Sequence, residues 1–211
     1  MASFDSLVKQ KIALFESVPE KLATAAQKTQ AEIWRKIRPI LEDMDVTAAG
    51  NIEQTEGNIR RIALISDELK KVLAGSEYRE AVRAFLGSID EGVQLTNEIA
   101  QTFESSFEPT EVQKQLLQLS KQNAINTFFG AGLDARFTQP FLEQLTTNIA
   151  ARSPLRETVA ALEGIVTGTE ANDGRLLANI KTTATTAQAV ADRSYSAAVN
   201  DELGIQWFEY L

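Results

Sequence analysis

Apolar residues recur every three or four positions along almost the whole chain, and no other feature restricts its fold as tightly. The clearest stretch is Tyr78, Val82, Phe85, Leu86, Ile89, Val93, Ile99 and Phe103, which holds the spacing for about seven turns. A helix buries one face at that period, whereas a half-buried strand alternates every second residue. Similar stripes precede and follow it, so the reading is an all-α protein.

Phe4, Leu7, Val8, Ile12 and Phe15 form a short first stripe capped by Ser3 or Asp5. Pro19 is expected to break it, since proline lacks the N–H of the helical ladder and its ring crowds the preceding turn. A longer helix follows from Pro19 with Leu22, Ala26, Ile33, Ile37, Ile40, Leu41 and Met44 on its apolar face. That face keeps its phase across Pro39, which predicts a kink there and not an end. Residues 45–51, with Gly50, read as a turn, and Ile52, Ile59, Ile62, Leu69, Val72 and Leu73 build the next helix. Gly75 and Ser76 separate it from the seven-turn stripe. Four long amphipathic segments joined by short turns imply an antiparallel bundle.

Glu108-Pro109-Thr110 opens a fifth helix, proline being welcome at the first helical position, and Val112, Leu116, Leu119 and Phe128 give its stripe. Gly130-Ala131-Gly132 reads as a tight connection. Shorter elements follow: residues 140–151 with Phe141, Leu142, Leu145 and Ile149, then a Ser153-Pro154 start carrying Leu155, Val159, Leu162 and Val166. After a loop at 168–174, a final Ala/Thr-rich helix sets Leu177, Ile180, Ala184, Ala187, Ala191, Tyr195 and Ala198 on one face. Such small residues allow close helix packing, and this helix reads as the centre of a second module. The chain therefore divides into a helical bundle, residues 1–130, and a smaller helical module with a short strand-like C-terminal tail, residues 131–211.

The tail is Ile205-Gln206-Trp207-Phe208-Glu209-Tyr210-Leu211. Aromatic residues fall on both of its alternating faces, and an apolar strand in water needs something to pair with or pack against. Ile205, Trp207, Phe208, Tyr210 and Leu211 are the candidate partner-binding residues. Packing on the tail's own module and pairing with a partner are both open for Trp207, while Trp34, beside Ile33 and Ile37, reads as core.

The chain contains no cysteine and no histidine. That removes thiol nucleophiles, disulfides, Cys/His zinc sites and the commonest general base, so no enzyme activity, metal or cofactor is expected. A net charge of -8 argues against coating nucleic acid, because such affinity comes from cations neutralising phosphates. The basic clusters at Lys28, Arg35, Lys36, Arg38 and at Arg60, Arg61 are interleaved with carboxylates and read as solvated helix faces. No apolar run reaches the roughly 20 residues of a membrane span, and no basic leader precedes an apolar stretch. Three motif matches fail on context. Gly130, Gly132 and Ala135 fit the dinucleotide fingerprint but follow a helical stripe, not a strand. Ser6 and Lys9 fit a Ser-x-x-Lys pattern with no companion motif. Glu42, Asp43 and Asp45 lack the spacing and glycine of a calcium loop.

The C-terminal part carries several short signatures: Gln139-Pro140-Phe141; Ser153-Pro154-Leu155 with Leu162; Gly174-Arg175-Leu176-Leu177; the small-residue helix from Thr182 to Asp192 with Arg193 and Tyr195; and the Leu203-Gly204-Ile205-x-Trp207-Phe208-x-Tyr210 ending. Over residues 132–211 these resemble the minor head proteins of tailed bacteriophages, the Mu-like head-morphogenesis group. The resemblance implies a virion protein made during head assembly, working through contacts with portal, major capsid or head–tail connector subunits, in multiple copies around a ring. It leaves direct contact with nucleic acid undecided and assigns no catalytic residues. Members of the family continue past the tyrosine into a β-rich segment, whereas this chain stops at Leu211, as a shortened relative, a processed product or a fragment would. The alternative is a cytoplasmic helical adaptor or signalling module. Sustained heptads would mark it, and the stripes here drift between three and four.

Overall fold

In the computed structural model, residues 3–205 are described, and they form an all-α bundle. Helix α1 (Phe4–Glu42) is followed by α2 (Glu56–Leu73), α3 (Ser76–Phe103) and α4 (Glu111–Phe129). The single turn α5 (Ala131–Leu133) then leads through a π-helical turn at Asp134–Thr138 into α6 (Gln139–Ala150), α7 (Leu155–Thr167) and α8 (Arg175–Glu202).

The expected break at Pro19 does not occur, because α1 is one helix of 39 residues with both Pro19 and Pro39 inside it. Proline deprives the Phe15 carbonyl of its usual partner, but packing on both sides of the ring holds the axis. Before Pro19, the Phe15 ring lies against Gly92 of α3, where any added Cβ would meet Phe15 Cε1 at 2.7 Å. Beyond it, Leu22 and Ala26 are buried in the core. The bare backbone at Gly92 is what lets α1 and α3 approach so closely.

Between α1 and α2 the chain makes a turn around Gly50, whose φ of 80° suits a residue without a Cβ. Ile52 is fully buried but lies before α2, which starts only after the Thr55 cap, so the helical stripe expected from Ile52 begins later. Asn58 closes this connection. Its Nδ2 donates to the carbonyls of Asp45 (2.9 Å) and Glu53 (2.7 Å), and its Oδ1 accepts from the Asp45 N–H at 2.9 Å. The same loop is stitched to the start of α7, where the Ile52 and Leu155 amides donate to the carbonyls of Ser153 and Gly50, each at 3.0 Å.

The stripe expected for α4 is also rotated. Val112 and Leu119 are 65% and 61% exposed, and the inward face carries Gln113, Ala124 and Phe128. Pro109 lies two places before the first helical residue, Glu111, outside the helix. Thr110 is the cap, in a reciprocal arrangement with Gln113 that satisfies two free N–H groups at once. After Gly130 the chain restarts as helix at once, and the π turn precedes Pro140. Its wider ladder, closed by the Gln139 N–H on the Asp134 carbonyl, gives room where the ring would crowd an α-helical turn.

One apolar core draws on both sides of Gly130, joining Leu22, Ile37 and Phe85 with Phe137, Phe141, Leu162 and Ile180. Helix α8, expected to be the centre of the second module, packs chiefly against α4 and α1. Leu177, Ile180, Ala184, Ala191 and Tyr195 face inward as expected, and Val199 does so in place of Ala198. Gln30, buried on α1, donates its amide to the Val166 carbonyl at the end of α7 beneath Gly174, where a Cβ would overlap both groups.

Candidate interaction surface

The start of α1 and the ends of α3 and α8 meet at one end of the bundle. Ser3 caps α1 by accepting from the Ser6 N–H at 3.3 Å. Phe4, Val8, Ile12 and Phe15 then fall along one side of the helix by their spacing. Across from them lie Ile99, Ala100 and Phe103 of α3, and Val199 and Leu203 of α8. Together these residues line an open groove of about 420 Å³.

Several of its side chains remain in water. Phe103 is 64% exposed and Ile12 52% exposed. Phe4 and Phe103 meet edge to face with ring centroids 5.6 Å apart, a geometry that rigidifies an aromatic rim. All of these residues belong to the apolar stripes that the spacing predicts to face the core. Their period is right, but they line the seam where α1, α3 and α8 meet, and among the described residues no further helix covers it.

The groove has one polar feature. Lys11 Nζ lies 2.6 Å from Asp192 Oδ1, with both side chains mostly buried. It also donates to Thr96 Oγ1 (2.8 Å) and Ser196 Oγ (3.4 Å) and stands 5.6 Å from the centre of the Phe15 ring. The pair ties α1 to α8 and is neutral as a unit, so the groove's character is set by its hydrocarbon walls. Behind it, Val93, Ala100, Phe107, Tyr195 and Val199 form a small core of their own, with the Tyr195 hydroxyl donating to Asn97 Oδ1 at 2.8 Å.

Helix α8 ends in a glycine turn. Gly204 has a φ of 66° and the Ile205 N–H reaches back to the Asn200 carbonyl at 2.8 Å, the reversal that a left-handed glycine makes at a helix terminus. The turn sets Ile205 on the groove wall. Of the five candidate partner-binding residues, Ile205 is therefore placed, exposed, beside the aromatic rim. Trp207, Phe208, Tyr210 and Leu211 lie outside the described residues, as does the strand-like character expected for that segment.

The other sequence candidates have structural partners. Arg61 holds Asp43 at 2.9 Å and Asp45 at 3.3 Å, and Thr55 donates to Asp45 at 2.6 Å, so the acidic turn clamps α1 to α2. Arg38 and Arg60 each pair with a glutamate one turn away on the same helix. Ser6 accepts a bond from Gln10, and Trp34 is buried in the main core. Gly130 and Gly132 pack directly on the last turn of α4, with a Cβ on either meeting backbone atoms at 2.9 Å; Gly130 caps α4, and Gly132 lies within the helical turn α5 and not in a loop. No helix among the described residues is long and apolar enough to cross a membrane. No protein-family model, curated protein or solved structure matches the chain.

Proposed function

We propose that this protein is a structural component of a tailed-bacteriophage head, a minor head protein that acts by binding neighbouring subunits at the portal vertex. The observation that carries the reading is the placement of Ile205. It follows Leu203 and Gly204 in the family-like ending, and it lies on an open apolar groove whose rim of Phe4, Ile12 and Phe103 is exposed to water. An exposed patch of that kind at one end of a helical bundle is the usual mark of a protein contact. Among the other residues that carry the resemblance, Phe141, Leu162, Leu176, Leu177 and Tyr195 are buried. They belong to the scaffold that presents the ending. Partners would be portal, major capsid or head–tail connector subunits, and several copies would stand around a ring.

A chain ending at Leu203, produced together with the head proteins encoded beside it, is expected to keep its helical circular dichroism and to be absent from purified particles. Incorporation at the normal level would overturn the proposal.

A further inference from the structure

A second cavity, of about 580 Å³, lies between the end of α2, the start of α3, the end of α4 and the π turn. It shares no lining residue with the α1–α3–α8 groove. Leu73, Leu86, Ile125 and Phe129 line it, buried or half-buried, and Tyr78 holds the Phe129 ring edge to face with centroids 5.7 Å apart. Lys70, Arg79 and Arg83 line it too, all three exposed, so cations stand at the mouth of a cavity floored by hydrocarbon. None of the three is in an ion pair among the described residues. Asp134 is the acid on the wall, so three positive charges stand against one negative in a chain whose net charge is -8. Arg79 and Arg83 are one turn apart on α3, where like charges repel, and a bound anion would relieve that repulsion.

The wall also carries an unpaired donor. Thr138 is 5% exposed and its hydroxyl has no hydrogen-bond partner. Other helical threonines, Thr127 and Thr146 among them, donate to the carbonyl four residues back. Thr138 ends the π turn, whose ladder reaches five residues back, and stands outside that pattern. A buried hydroxyl is costly without an acceptor, and an anionic oxygen in the cavity is an acceptor of the kind it lacks.

We propose that this cavity binds a small phosphate monoester with an aromatic body, the phosphate held by Lys70, Arg79 and Arg83 and the body lying on Ile125 and Phe129. Such an ester carries a charge of about -1.5 to -2 near neutral pH, which matches the excess of two cations; a carboxylate would leave one unmatched. Guanidinium forks pair two of their N–H groups with phosphate oxygens. The cavity's size is that of small-molecule sites, about 300 to 1,000 Å³. The site is independent of a role in virions.

Titration calorimetry of the full chain with 1-naphthyl phosphate tests this, and one molecule per chain is expected to bind. Arg79→Gln and Arg83→Gln, at exposed positions, are each expected to weaken binding about tenfold or more, the worth of a charged hydrogen bond, with unchanged helical circular dichroism. Thr138→Val is expected to weaken it severalfold, and Ile12→Asp, in the other groove, to change nothing. Inorganic phosphate, which lacks the body, and 1-naphthol, which lacks the charge, are each expected to bind at least about tenfold more weakly. AMP separates two sources of an aromatic monoester: binding tighter than that of 1-naphthyl phosphate and lost in the same variants assigns a nucleoside body, and weaker binding a hydrocarbon one. Absence of binding by both esters would overturn the proposal. So would binding indifferent to Arg79→Gln and Arg83→Gln, binding lost in Ile12→Asp, or inorganic phosphate matching the esters.

Discussion

Replacing Asn58 with alanine is expected to be among the most damaging single changes in the α1–α2 region. The side chain is fully buried, and it closes the connection through bonds to the Asp45 N–H, the Asp45 carbonyl and the Glu53 carbonyl at 2.7 to 2.9 Å. Each such bond contributes about 1 kcal/mol net, and alanine would leave the backbone groups without a partner in a site closed to water, so the loss is about 3 kcal/mol. With a urea slope of about 3 kcal/mol/M for a chain of this size, the midpoint is expected to fall by about 1 M. Equilibrium unfolding followed by circular dichroism measures this directly. Arg60→Ala, two residues away, removes an exposed ion pair and is expected to cost less than about 0.5 kcal/mol. An Asn58→Ala midpoint within about 0.3 M of the parent, at unchanged slope, would refute the reasoning.

Pro19→Ala restores a donor to the Phe15 carbonyl within a continuous helix and is expected to raise stability by about 1 to 3 kcal/mol; no gain in the same urea titration would mean that the ladder is interrupted there for another reason. Gly174→Ala sets a methyl group against the Gln30 amide and the Val166 carbonyl, and a loss of about 2 kcal/mol is expected, read as a lower melting temperature. Burial holds the Tyr78 phenol well above its ordinary value near 10, and its hydroxyl donates to the Phe128 carbonyl at 3.1 Å. A group whose folded pKa is raised keeps its full contribution below the unfolded value and loses it as pH rises further. Stability is therefore expected to be insensitive to this residue below about pH 9 and to fall above pH 10, and Tyr78→Phe is expected to flatten that fall in a pH series of melts.

The helical class was legible because the period of burial is local: Tyr78, Val82, Phe85, Ile89 and Val93 are all buried on α3, at the spacing the sequence shows. Caps were legible for the same reason, and Ser3 serves as one of the two residues proposed. The errors came where a local rule met a distant neighbour. Pro19 is an ordinary helix breaker by local chemistry, and packing of α1 against α3 and α8 on either side of it keeps the helix whole. Val112 and Leu119 have a helical period, but the residues that α4 turns inward are Gln113, Ala124 and Phe128. The groove could be found in the sequence only as a list of apolar positions on three helices, because whether such a position is core or surface depends on which helices meet there and whether another covers the seam.

The sequence by itself determined an all-α chain, most of its helix limits, and the apolar character of the segment after Gly204. These follow from backbone geometry and side-chain type over one or two turns. Tertiary structure alone decided that α1 passes through Pro19, that Asn58 and Gln30 are buried hydrogen-bonding centres, and that Ile205 lies on an open groove. Each of those depends on groups far apart in the chain, such as Gln30 and Val166 or Phe4 and Phe103. Their meeting is set by how whole helices pack, and no local pattern encodes it.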